Sequence, residues 1–186
     1  MELKNKELNG NDPRILNEWK FNENINEFFK DYRSSLTHAL DSISVDALKS
    51  TYLILKTVAE KKGFVFTAGN GGSAAIANHL CCDWTKGTFI ENKLRLKTYS
   101  LCSNVELMTA ISNDFGNNEV FSRQLKMLAE PQDALVLISS SGNSPNILSA
   151  AQEAKKLKIP VIGFTGFTGG GLKEIADVSI HVEANN

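Results

Sequence analysis

Two residues near the middle of the chain have the types and spacing for proton transfer. His79 and Asp83 stand four apart in a segment of helical character, so one helix face carries both. An imidazole beside a carboxylate can take a proton from carbon and help pass protons between oxygens. The same pair at i and i+4 is also a workable half of a metal site, with Zn2+ as the ion considered. The plainer reading is an exposed ion pair of little consequence. Position favours chemistry: the pair follows an anion-binding loop by one to two helical turns.

That loop is Gly69-Asn70-Gly71-Gly72-Ser73, fed by the apolar run Phe64-Val65-Phe66. Glycines let main-chain N–H groups approach a ligand, and a following helix adds unpaired donors and a positive dipole end. Ser73 is placed to cap that helix or to give its hydroxyl to a phosphate. A second stretch repeats the design. Ala134-Leu135-Val136-Leu137-Ile138 reads as a buried parallel strand and ends in Ser139-Ser140-Ser141-Gly142-Asn143-Ser144-Pro145. Pro145 suits the first helical position and Ser144 the cap before it. Either loop alone could be a bare turn or a solvated linker. Two of them, each directly after a buried strand, point to a phosphate-type ligand.

The elements that must hold these groups follow from periodicity. Strands are expected near 64–68, 95–101, 134–138, 160–164 and 178–182. Helices are expected near 74–86, 104–112, 119–129, 145–157 and 171–175. This alternation predicts an α/β fold, a parallel sheet with helices on both faces, with both loops at the carboxyl ends of strands. Two further helices precede the sheet, over 22–40 and 45–62, the second capped by Ser44. Ile25, Phe28, Phe29, Tyr32 and Leu36 form an apolar face on the first, which has nothing local to cover. It is expected to pack on a partner subunit, or more plainly on its own domain. Residues 1–12 are polar and rich in Asn and Lys.

Composition excludes several classes. With 42% apolar and 22% charged residues, the 186-residue chain has a globular balance and the length of one domain. A net charge of −1 gives no reason to expect nucleic acid or an anionic membrane as partner. No apolar run approaches a membrane span, and the N-terminus lacks a signal-peptide core. Cys81, Cys82 and Cys102 are odd in number and read as reduced, packed thiols of a cytoplasmic protein. Other polar candidates have ordinary roles: His181 in the last strand, His38 in the first helix, Asp114 in a turn and Arg123 as an exposed helix residue. Trp84 and Phe89 read as core or subunit contact.

Gly69-Asn70-Gly71-Gly72-Ser73 and Ser139-Ser140-Ser141-Gly142-Asn143-Ser144 together resemble the sugar isomerase (SIS) fold. Asn113-Asp114-Phe115-Gly116, Phe121-Ser122-Arg123-Gln124 and the segment 157–171 are similar to its phosphoheptose isomerase (sedoheptulose 7-phosphate isomerase) branch. The likeness covers about residues 45–182. It implies a doubly wound, flavodoxin-like five-stranded parallel sheet over 45–186 after an N-terminal helical segment 1–44. It further implies a homotetramer built by the N-terminal helices, no organic cofactor, and a role in heptose synthesis for cell-surface carbohydrate such as lipopolysaccharide. The implied phosphate and substrate set is Asn70, Gly71, Gly72, Ser73, Ser139, Ser140, Ser141 and Ser144. Asn104 stands where the family often has a substrate-binding aspartate. At the positions of His79 and Asp83 the family holds a histidine and a glutamate, both zinc ligands, the glutamate also catalytic. Asp83 is one methylene shorter. The family's other ligands and its catalytic histidine lie on a final covering helix, and no residue of this chain matches them. The last strand is expected to end near Val182, so that helix is expected to be missing.

Two readings result. One is a phosphosugar isomerase with Asp83 as the proton-transfer carboxylate. The other is a non-catalytic sugar-phosphate-binding module acting as a regulator or assembly partner.

Overall fold

A computed structural model describes residues 24–184. Two helices lead, α1 (Ile25–Asp41) and α2 (Val45–Glu60). Each starts where a polar side chain supplies a cap: the Asn26 N–H donates to Asn24 Oδ1 at 3.2 Å, and the Ala47 N–H donates to Ser44 Oγ at 3.2 Å. Then strand and helix alternate: β1 (Phe64–Gly69), α3 (Gly72–Cys82), β2 (Lys97–Ser100), α4 (Val105–Phe115), α5 (Ser122–Leu128), β3 (Ala134–Ile138), α6 (Pro145–Leu157), β4 (Val161–Thr165), α7 (Gly170–Ile175) and β5 (Val178–His181).

All pairings are parallel, and the strand order is β2-β1-β3-β4-β5. The doubly wound, flavodoxin-like sheet expected from the sequence is the one observed. Its order reverses between β1 and β3, so the crevice beyond Gly69 and Ile138, which face each other in register, is the place for a ligand. Alternate side chains point to opposite faces of each strand and build two cores. Phe66, Ala68, Leu135 and Leu137 pack with Leu101, Phe121, Leu125 and Ile147 on one face. Val65, Ala134, Val136 and Ile162 pack with Val58 of α2 on the other.

Some local expectations are corrected. Helix 74–86 begins earlier, at Gly72, and changes at Asp83 into a single π turn, Asp83–Gly87. The expected helix 119–129 is a 3₁₀ turn, Asn117–Glu119, followed by α5. Asp114 lies inside α4 rather than in a turn; the chain breaks at Gly116, whose φ of 90° suits a glycine. Of the three thiols, Cys82 is exposed rather than packed, because it falls on the outer side of α3. Among the described residues no helix is long and apolar enough to cross a membrane.

Candidate functional site

The carboxyl ends of β1, β2 and β3 bring three loops to one edge of the sheet. The first is the glycine loop. Gly71 has φ 53° and ψ −120°, a conformation that a side chain would strain. It forms the N-cap position, and α3 starts at Gly72. The Ser73 N–H donates to the Asn70 carbonyl at 2.9 Å, so Ser73 sits inside the first turn. This corrects its expected capping role: no side chain caps α3. The N–H groups at the helix start thus have no side-chain acceptor from the chain. A Cβ on Gly71 or Gly72 would meet nothing within 4 Å, whereas one on Gly69 would lie 2.6 Å from the Ser73 backbone. Gly69 is needed for close packing inside the fold. Gly71 and Gly72 present bare backbone to open space, as a phosphate cradle requires.

The serine loop is held from behind. The Gly142 N–H donates to the Ser139 carbonyl and to Ser139 Oγ, at 3.0 and 3.2 Å. The Gly166 N–H donates to the Ser140 carbonyl and the Leu172 N–H to the Gly142 carbonyl, both at 2.9 Å. Asn143 Oδ1 accepts from the Gly171 N–H at 2.9 Å. The glycines at 169–171 therefore brace the serine loop against the turn after β4. Ser139 is buried inside this brace, while Ser140, Ser141 and Ser144 remain accessible. Ser144 occupies the N-cap of α6 ahead of Pro145, yet its hydroxyl makes no capping bond. That hydroxyl stands beside the helix N-terminus, where an anion would be favoured.

The two loops are joined. Asn70 Nδ2 donates to Asn146 Oδ1 at 2.8 Å, and Asn146 Nδ2 donates to Asn70 Oδ1 at 2.9 Å. Asn146 is 4% exposed. Sequence reasoning missed it; its one signal is a polar residue on the first turn of a helix at a candidate anion site. On the other side, the Cys102 thiol donates to the Gly69 carbonyl at 3.3 Å and ties the loop after β2 to the glycine loop. Burial pushes the Cys102 thiol above the ordinary cysteine range, more than its bonds to Gly69 and Ser100 lower it. Asn104 caps α4, with its Oδ1 accepting from the Leu107 N–H at 2.9 Å.

His79 and Asp83 share the exposed side of α3, with Nε2 and Oδ2 3.3 Å apart and side chains 75% and 56% exposed. Asp83 opens the π turn, a helical irregularity often found at functional sites. Two donors on one helix fit part of a tetrahedral zinc shell. Among the described residues no third His, Cys, Asp or Glu joins them, so the described chain offers two of the four ligands that a tetrahedral zinc ion would need. Arg123 lies over the Phe115 ring, 3.4 Å from its centroid, and 3.8 Å from Glu119, which occupies it away from the loops. A cleft of about 350 Å3 lies at the opposite pole, lined by α2 and the segments preceding β3 and β4. Its one carboxylate, Asp133, accepts from the Phe64 and Glu130 N–H groups and serves the fold. The open crevice at the switch point is the better site.

Comparison with known proteins agrees with this fold. Residues 27–166 match the SIS domain family. A phosphoheptose isomerase of Helicobacter pylori is 35% identical over 162 residues, 87% of this chain and 83% of the relative. One from Campylobacter concisus is 40% identical over 145 residues, 76% of each chain. Among solved structures, a phosphoheptose isomerase from Francisella tularensis superposes with a TM-score of 0.79 at 30% identity, covering 87% of this chain and 85% of that one.

Proposed function

The chain belongs to the SIS domain family, and we infer that it is a phosphosugar isomerase that interconverts sedoheptulose 7-phosphate and the corresponding aldose phosphate. The observation that carries this reading is the pair of helix N-termini, α3 and α6, set at the switch point beside open, hydroxyl-rich loops. They suit a dianionic phosphate without a basic side chain. From Ser73 to Asp83 the chain of α3 rises about 15 Å at 1.5 Å per residue. That length favours a long sugar, anchored by its phosphate at the loops and reaching along the helix toward His79 and Asp83.

In the proposed reaction the loops hold the phosphate and Asp83 takes a proton from C1 of the ketose. The resulting enediol is reprotonated at C2, while the hydroxyl proton passes from O1 to O2. His79, in contact with Asp83, orients the carboxylate and is the group assigned to the oxygen-to-oxygen transfer. Zn2+, if held by His79 and Asp83 with further donors, would polarise the carbonyl. We place the enzyme in the cytoplasm, where its free thiols stay reduced, and in heptose synthesis for cell-surface carbohydrate. We propose a homotetramer.

The test is a coupled isomerase assay on the wild type and Asp83→Asn, with calorimetric titration of sedoheptulose 7-phosphate into both. The expected result is turnover by the wild type, a loss of a hundredfold or more in the variant, and nearly equal binding, because anchor and base are separate groups. Equal activity removes Asp83 from the mechanism. Binding without turnover by the wild type favours the non-catalytic module.

A further inference from the structure

We propose that Asn146 is a positioning residue for the reaction: through its paired amide bonds to Asn70 it sets the spacing of the two phosphate loops across the switch point. The proposal rests on the isomerase reading above. Its ground is geometric. Asn70 is the first residue after β1, and Asn146 is the second residue of α6. Their side chains exchange two bonds, at 2.8 and 2.9 Å, so each amide gives one N–H and receives one.

A polar side chain in the first turn of a helix usually bonds its own backbone or water. That of Asn146 instead crosses to a loop from a different strand, and its residue is 96% buried by the complement of its 4% exposure. Asn70 is exposed but Asn146 is buried, and a buried amide is costly unless paired, so the bonded arrangement is favoured over one in which the Asn146 side chain loses this partner. The Asn70 main chain meanwhile accepts the Ser73 N–H and shapes the glycine turn. Motion of the Asn70 side chain therefore moves the N–H groups at Gly71 and Gly72. Asn146 lies two residues from Ser144, whose hydroxyl is unused by the helix. The paired amides thus couple the donors of α3 to those of α6, so that both sets converge on a single anion. A mismatch of about 1 Å between the sets would weaken binding and misplace the sugar along α3.

The experiment is a double-mutant cycle on the full chain with Asn70→Ala, Asn146→Ala and the double variant. KM and kcat are measured with sedoheptulose 7-phosphate, and binding of the same sugar phosphate by calorimetry. Val58→Ala, a buried change on the far core, serves as the stability control, since it touches neither loop. We expect Asn146→Ala to raise KM about tenfold and to weaken binding in parallel. Asn70→Ala should add little in its background, because both amide atoms of Asn70 are engaged by Asn146 and only its main chain serves the phosphate loop, and Val58→Ala should lower Tm with KM unchanged. Asn146→Asp keeps the size but sets one oxygen against another, so it should not restore KM. An unchanged KM in Asn146→Ala, or effects of the two alanines that multiply, overturns the proposal. If Asn146→Ala fails to fold, the KM of Asn146→Asp decides in its place. An inactive wild type that still binds the sugar phosphate refutes the isomerase reading; the binding arm of the cycle then still tests the coupling between the loops.

Discussion

At the scale of the residue, two serines in equivalent cap positions have different work. Ser44 Oγ accepts the Ala47 N–H, whereas the Ser144 hydroxyl makes no capping bond. Ser44→Ala should therefore cost about 1 kcal/mol in urea unfolding and leave ligand binding alone. Ser144→Ala should change stability by less than about 0.5 kcal/mol and weaken sugar-phosphate binding by about 1–3 kcal/mol, through loss of one charge-assisted bond. A calorimetric affinity unchanged in Ser144→Ala would exclude its hydroxyl from the anion site. The thiols give a second test. Cys82 is exposed, while Cys102 is half-buried, bonded to Gly69 and held in its neutral form by burial. Iodoacetamide should label Cys82 first and Cys102 last at neutral pH, as peptide mapping would read. The sign for stability follows from the raised thiol. Its contribution is complete below the ordinary cysteine value and is lost as pH rises through the higher folded one. Cys102→Ala should flatten that alkaline decline in denaturation measured above pH ~9.

At the scale of the element, the serine loop is rigid because glycine permits two backbones to touch. A Cβ on Gly142, at φ 65°, would stand 1.8 Å from the Gly169 carbonyl oxygen. Gly142→Ala should then destabilise the fold by about 2 kcal/mol or more and free the loop, seen as lower Cm and weaker phosphate binding. This contact also shows what the sequence could and could not tell. The strands were legible because short apolar runs such as Ala134–Ile138 are followed by turn residues, and Pro145 marks its helix start within one residue. Capping of α3 by Ser73 was misread because a three-glycine turn lets the helix begin two residues early, at a backbone conformation no side chain announces. The break before 119 was legible, but α4 runs three residues further than expected, to Phe115, because the glycine that ends it is Gly116 and Asp114 continues the helix. The Asn70–Asn146 pair spans 76 residues, and no local periodicity carries a tertiary bond of that reach. The His79–Asp83 contact was legible, since i and i+4 on one helix meet by geometry alone.

At the scale of the whole molecule, the first helix poses a question of energy. Within α1 only Ala39 is buried. Ile25 is 75% exposed and Phe29 62%, and the face continues into α2, where Tyr52 is 61% exposed. A 17-residue helix is marginal by itself in water and owes its stability to a covered apolar face. Much of that face, Ile25, Phe29 and Leu36 among it, is exposed in the structure, and another copy of the same face is the simplest source of a second surface of matching character. Sedimentation of the wild type at micromolar concentration should therefore give a mass above the monomer, with four copies expected. Phe29→Asp combined with Tyr52→Asp places carboxylates in the covered face, where burial of an unpaired charge is costly. The double variant should sediment at lower mass and lose helical circular dichroism, while its sheet, built on separate cores, remains folded. Deleting residues 1–40 should instead leave the α2 face uncovered and cause aggregation. A clean wild-type monomer with full helicity would show that α1 is stable without a partner and would remove the assembly from the account.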